Sequence, residues 1–188
     1  VNGSTIVTLT DSGTAGMTKT DFTNIFDYDS DGCLDTSQWI TANAIGGTSN
    51  DKAWDVAVDA SGNTYVTGYF AGTVTFGNTN LTSSGGSDII VAKLPSNGSW
   101  QWAKRAGGSS VDRGYGITVD SSGNAYVTGS FSGTSADFGN TTLSASGSYD
   151  VFVAKLDSSG NWLWAKRAGG SSSDEGYGIA VDSSGNAY

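Results

Sequence analysis

The chain repeats itself, and the period of the repeat limits what it can fold into. YGITVDSSGNAYVTGSF from Tyr115 is preceded by WDVAVDASGNTYVTGYF from Trp54 and followed by YGIAVDSSGNAY from Tyr177. A second block, DVFVAKLDSSGNWLWAKRAGG from Asp150 to Gly170, has an earlier copy in DIIVAKLPSNGSWQWAKRAGG from Asp88 to Gly108. The equivalent aspartates Asp59, Asp120 and Asp182 lie 61 and 62 residues apart. Self-similarity at a fixed period means one supersecondary unit copied along the chain, each copy covering the apolar face of its neighbour.

Each copy reads as four short strands. Gly116–Asp120 and Asn124–Gly129 are β-branched and aromatic runs joined by Ser-Ser-Gly. Asp150–Leu156 and Trp162–Ala168 are joined by Asp-Ser-Ser-Gly. Both are hairpin patterns, and both recur over Trp54–Gly68 and Asp88–Ala106. Between the pairs runs a Gly/Ser/Thr-rich span carrying Phe131, Phe138 and Leu143, with Phe70, Phe76 and Leu81 as counterparts. These apolar residues are expected to pin a long loop or a pair of short strands to the sheet. VFVAKL and NWLWAKRA are apolar on both faces, as in a sheet covered on both sides. The expectation is therefore an all-β fold of β-propeller blades, each of four antiparallel strands, with about three repeats of 61–62 residues. A β-solenoid or a flat tandem sandwich is the competing arrangement.

The formal charge is −9 and there is no histidine. Such a surface repels polyanions, so nucleic acid and anionic membranes are poor partners. Six of the nine Lys and Arg recur at equivalent positions: Lys93, Lys104, Arg105, Lys155, Lys166 and Arg167. Their recurrence points to blade building. Cys33 is the only cysteine, so no intrachain disulfide forms. Abundant Gly, Ser, Thr, Asn and Asp with a high aromatic fraction fits an extracellular all-β protein, and a leader ahead of Val1 is expected either to have been removed or to lie outside this sequence. The sequons at Asn2, Asn80, Asn97 and Asn140 carry little weight in a chain this rich in Ser and Thr.

Residues 14–38 depart from the repeat. From Asp27 they spell D-Y-D-S-D-G-C-L-D-T-S-Q, twelve residues of which the first nine match an EF-hand calcium loop. A hard cation takes six to eight oxygens, and carboxylates at alternate positions of a tight turn converge on one point. Asp27, Asp29 and Asp31 would each supply one, Cys33 its backbone carbonyl, and Asp35 a direct or water-mediated ligand. Gln38 stands where a bidentate Glu is usual, so a neutral amide would complete a weaker site. Phe22, Ile25 and Phe26 have the spacing of a short amphipathic helix, with Thr20 as its N-cap. This resembles the entering helix of an EF-hand or dockerin-type motif, and Ca2+ is the cofactor it implies. Trp39–Ile45 would be an exiting helix by that resemblance and a strand by the repeat alignment. Similar loops in the hairpins of integrin-type propellers need no second helix.

The VDSSGNAYVTG hairpin followed by VFVAKLDSSG resembles the SBBP β-propeller repeat of bacterial secreted and surface proteins, and its first hairpin is similar to an NHL blade. The likeness runs from about residue 39 to 188. It divides the chain into a strand of a partial first blade (1–13), the inserted helix and calcium loop (14–38), the last strand of that blade (39–53), full blades at 54–108 and 109–170, and the front half of a further blade (171–188). Two continuations are expected: a longer array of repeats, or chains that complete each other's half-blades in a ring or an open fibre.

The remaining recurrent polar residues have structural roles on this reading. Asp51, Asp112 and Asp174 would bond backbone amides in the interblade turn, with a second metal site as the alternative. Asp59, Asp120 and Asp182 would form Asx-turns. Trp100, Trp102, Trp162 and Trp164 would sit in strands facing the core, and Trp39 with them. Without histidine the usual general base and the nucleophile triads are missing, so no enzyme is expected. Two readings remain: a secreted or cell-surface calcium-stiffened scaffold that binds glycan or protein, or a structural subunit whose terminal half-blades pair between chains. A carbohydrate-active enzyme working through paired aspartates ranks below both.

Overall fold

The computed structural model describes residues 45–188. Among them every regular element is a strand: β1 (Lys52–Val58), β2 (Thr64–Phe70), β3 (Thr73–Phe76), β4 (Thr79–Thr82), β5 (Asp88–Leu94), β6 (Trp102–Ala106), β7 (Arg113–Val119), β8 (Ala125–Phe131), β9 (Ala136–Phe138), β10 (Thr141–Leu143), β11 (Asp150–Leu156) and β12 (Trp162–Ala168). The four-stranded sheets run β1-β2-β5-β6 and β7-β8-β11-β12, and β3-β4 and β9-β10 are two-stranded hairpins. All strand pairs are antiparallel. Consecutive sheets meet by packing, with only single bridges such as Ser87 to Val111 between them. That is blade packing; a coil of shared parallel ladders is excluded.

Turn chemistry sets the hairpins. Asp120 Oδ1 accepts from the amides of Ser122 and Asn124, both at 2.9 Å, and Oδ2 accepts from Asn124 Nδ2 at 2.8 Å. Asp59 and Asp182 make the same three bonds in their own turns, and Asp157 makes them between β11 and β12. One side chain thus closes a turn that backbone bonds alone would leave half paired. The Asx-turn reading holds and extends to Asp157.

Trp54 and Tyr115 are skipped in the β1–β2 and β7–β8 registers, so each is the extra residue of a bulge. Opposite the bulge the strands press close. A Cβ on Gly68 would lie 1.9 Å from the Lys52 carbonyl oxygen, and one on Gly129 would lie 2.0 Å from that of Arg113. The glycine of each V-T-G is the residue that lets the bulge close. The bulged rings touch in series along the repeats, Trp54 edge-on to Tyr115 with centroids 5.2 Å apart and Tyr115 stacked on Tyr177 at 5.0 Å.

The main core lies between the sheets. Ile89, Val91, Trp102 and Ala106 of the first pack with Phe131, Ala136, Phe138, Phe152 and Ala165 of the second blade. All seven residues of β8 are buried, which explains the lack of polar alternation in AYVTGSF. Phe131, Phe138 and Phe152 are fully buried, each contributing about 1.5–3 kcal/mol over an exposed position. In β11 burial alternates, because Val151, Val153 and Lys155 face outward where their counterparts Ile89, Val91 and Lys93 are covered by the second sheet.

Some boundaries differ from the sequence reading. The front pair spans Arg113–Val119 and Ala125–Phe131, with ends one to three residues offset from Gly116–Asp120 and Asn124–Gly129. The polar spans between pairs form the short hairpins, with Phe76 and Phe138 buried beneath. Trp100 precedes β6 and packs edge-on against Phe76, so it is not a strand residue. Trp102 is buried, whereas Trp162 and Trp164 are half-buried. The Tyr177–Tyr188 segment folds as a turn held by paired bonds between Ala180 and Tyr188, without full strands.

Candidate functional site

The antiparallel meander puts two kinds of polar cluster at opposite ends of each sheet. At one end lie the aspartate turns. The Tyr65 hydroxyl lies 3.2 Å from Asp59 Oδ2 and 3.2 Å from the carbonyl oxygen of Gly123 in the next blade. Tyr126 repeats this with Asp120 and Gly185, both at 3.2 Å. Lys155 Nζ sits 4.6 Å from the Tyr126 ring centroid and 3.7 Å from Asp120 Oδ2, and Lys93 lies over Tyr65. Two of the recurrent cations therefore hold the blade together, as their spacing implies.

Between the first two of these turns is an open polar cleft of about 240 Å³, lined by Asp59, Asn63, Lys93, Asp120, Ser122 and Ser158. Burial pushes the Asp120 carboxyl up, but the Asn124 side chain and amide, the Ser122 amide and the Tyr126 hydroxyl outweigh it and hold it below the ordinary range. Asp59 is held down in the same way by Asn63, Ser61 and Tyr65. Burial followed by the Asp59 charge pushes the Tyr65 hydroxyl up. Both carboxylates stay ionised and fully hydrogen-bonded, a poor arrangement for proton transfer to a substrate.

At the other end are the blade junctions. Asp88 opens β5 with no exposed surface. Its Oδ2 accepts from the Ser84 amide at 3.1 Å and from Arg105 Nη1 at 2.5 Å. Asp112, also without exposed surface, lies ahead of β7. Its Oδ2 accepts from the Gly108 amide at 2.7 Å, its Oδ1 from the Ser132 amide at 3.0 Å, and its own amide donates to Ser87 at 2.8 Å. The next junction copies this. Asp150 Oδ2 accepts from Ser146 at 2.9 Å and Arg167 at 2.7 Å, while Asp174 accepts from the Gly170 amide at 2.8 Å and donates to Tyr149 at 2.8 Å. Asp88 Oδ1 and Asp150 Oδ1 are buried and accept no hydrogen bond.

Asp51, Asp112 and Asp174 thus bond interblade amides, as their place after the Gly-Gly turn suggests. The buried aspartates that open β5 and β11, Asp88 and Asp150, carry no reading in the sequence. The signal was available: each is followed seventeen residues later by an arginine, Arg105 or Arg167. The calcium-loop residues Asp27, Asp29, Asp31, Cys33, Asp35 and Gln38, with the helix ahead of them and Trp39, lie outside the described residues. Among the described residues no group of three carboxylate or thiol side chains is placed to hold a metal ion.

Residues 101–139 and 163–188 match the SBBP β-propeller repeat family. Each match runs from the last part of one blade, across the junction with its Gly-Gly turn and aspartate, into the first hairpin of the next. Sheet order, blade packing and these two matches define a β-propeller repeat protein. No curated protein matches the chain.

Proposed function

We propose that the protein is a non-enzymatic extracellular scaffold, stiffened by Ca2+ bound through Asp27, Asp29, Asp31, the Cys33 carbonyl, Asp35 and Gln38, and that it serves adhesion or binding at a cell surface or matrix. One observation carries the non-enzymatic part. The repeated carboxylates at both ends of the blades are engaged by the fold's own amides, hydroxyls and guanidinium groups, so each has a structural task. The D-x-D-x-D-G-x-x-D pattern supports the metal, and the charge of −9 supports partners other than nucleic acid. Thermal unfolding in EDTA and in millimolar Ca2+ tests the metal: calcium raises the melting temperature and protects residues 20–40 from protease. Identical curves and identical cleavage would count against the site.

A second reading has its own support. Val151, Val153 and Trp164 are half-exposed, whereas Ile89, Val91 and Trp102 at the same positions one blade earlier are buried beneath the following blade. A surface shaped to receive a blade suits a structural subunit that pairs with another copy or with further repeats. Mass measurement in solution separates the readings: a discrete oligomer or polymer favours assembly, a monomer favours the module.

A further inference from the structure

We propose that the cleft between the Asp59 and Asp120 turns binds one ring of a neutral saccharide, whose oxygens accept from Lys93 and from serines of the surrounding turns; this rests on the reading of the protein as a binding module. Lys93 carries the argument. The residue is only 8% exposed, yet it lines the cleft. The ion pairs among the described residues are Arg105–Asp88, Lys155–Asp120 and Arg167–Asp150, and Lys93 is in none of them. Nor does it donate a hydrogen bond to any described side chain; its ammonium lies over the Tyr65 ring, 5.0 Å from the centroid. One blade later the equivalent Lys155 is committed to Asp120 at 3.7 Å. A buried ammonium with three donors and no acceptor is costly, and a ligand oxygen in the cleft removes that cost.

The walls are fixed before anything binds, which lowers the cost of ordering on binding. Asp59 Oδ1 takes the Ser61 and Asn63 amides, and its Oδ2 takes Asn63 Nδ2 and the Tyr65 hydroxyl. Asp120 engages both oxygens in the same way. The wall that carries Ser158 is held by Trp102 Nε1, which donates to the Ser158 carbonyl at 3.1 Å. With the aspartate oxygens so engaged, the groups left for a ligand are the Lys93 ammonium and the hydroxyls of Ser61, Ser122 and Ser158. They call for an oxygen-rich ligand. The ionised carboxylates in the same walls repel an anionic one. Neutral oxygens at close spacing, able to accept from the ammonium and to exchange bonds with hydroxyls, are what a sugar ring presents. The cleft volume of about 240 Å³ is below the roughly 300–1,000 Å³ of sites for drug-sized ligands, which leaves room for one ring. No aromatic face lines the cleft, so the expected dissociation constant is about millimolar.

The test is amide NMR of the full chain in chelator, titrated to about 50 mM with D-glucose, D-galactose, D-mannose and N-acetyl-D-glucosamine in turn. At least one sugar shifts the amides of Ser61, Asn63, Ser122 and Ser158 along a saturating curve. Lys93→Met keeps an apolar stem over Tyr65, removes the donors and weakens that binding about tenfold or more. Should this variant not fold, Ser122→Ala on the exposed wall takes its place, with a loss of about threefold. The proposal is overturned by the lack of a saturating shift with all four sugars, by shifts confined to other residues, or by undiminished binding in the variant used. Sodium acetate moving the same amides while the sugars leave them still would assign the cleft to a carboxylate, and the proposal fails. A cleft silent to sugars in a protein that Ca2+ still stabilises removes this inference alone and leaves the scaffold reading standing.

Discussion

The hydroxyl of Tyr65 lies 3.2 Å from the carbonyl oxygen of Gly123, a residue 58 positions further on and one blade away. The same hydroxyl lies 3.2 Å from Asp59 Oδ2 in its own turn. A single group therefore closes its own hairpin and docks it on the next, and Tyr126 repeats the arrangement with Asp120 and Gly185. The tyrosine of the repeated VDSSGNAY block is an interblade connector as well as a core ring.

Replacing Tyr65 by Phe keeps the buried ring and removes both bonds. The expected loss is about 1–2 kcal/mol, since one partner is ionised and the Gly123 carbonyl loses a donor. Urea unfolding with an unchanged m-value would read it. A midpoint equal to that of wild type would show that the hydroxyl adds nothing across the junction.

Arg105→Ala leaves Asp88 charged and buried without its guanidinium partner. The arginine side chain is 25% exposed, so the cost is set below that of a fully buried pair, at about 2 kcal/mol. Arg167→Ala is expected to cost less, because its side chain is 34% exposed. Denaturation of the two single variants checks the ranking, and equal losses would contradict it.

The acid limb of stability belongs to the turns. Asp59, Asp120, Asp157 and Asp182 are all held below the ordinary carboxylate value of 3.8, chiefly through their Asn, Ser and Tyr partners. A depressed carboxyl contributes stability that is present above its unfolded value and lost as pH falls through the folded one. Unfolding should therefore begin below about pH 4, and Asp120→Asn should flatten that limb in circular dichroism titrations. A limb of the same steepness in the variant would assign it to other groups.

Gly107 is expected to tolerate no side chain. Its φ is +132°, and a Cβ there would lie 2.6 Å from Asp112 Oδ2. Gly107→Ala combines backbone strain with displacement of a buried carboxylate, a loss of about 3 kcal/mol or more. Thermal melts of the purified variant would show it; a shift of less than about 2 °C would mean that the junction has more room than its geometry allows.

Much of the blade was legible in the residues themselves. The DSSGN and DASGN turns announce hairpins because the aspartate bonds amides two and four residues away. The covered sheet was legible in VFVAKL, though among the described residues one face of β11 stays half-exposed. Trp100 lies outside the strand that its repeat position suggests: periodicity does not show that the chain bends before Gln101 and sets the ring edge-on against Phe76. The bulges at Trp54 and Tyr115 were also hidden, since an extra residue leaves no mark on an apolar pattern.

From its sequence alone this protein disclosed the repeat, the hairpins and the class of fold, because those rest on contacts within a few residues of each other. Tertiary structure decided which groups meet across the junctions: Tyr65 with Gly123, Asp55 with the Ile117 amide, Trp102 with the Ser158 carbonyl, and the Asp112 amide with the Ser87 carbonyl. Three of these contacts join residues 56 to 62 positions apart. They depend on how far one sheet is displaced and turned against the next. That offset is set by the summed packing of rings and β-branched side chains between the blades, which no local stretch of residues encodes.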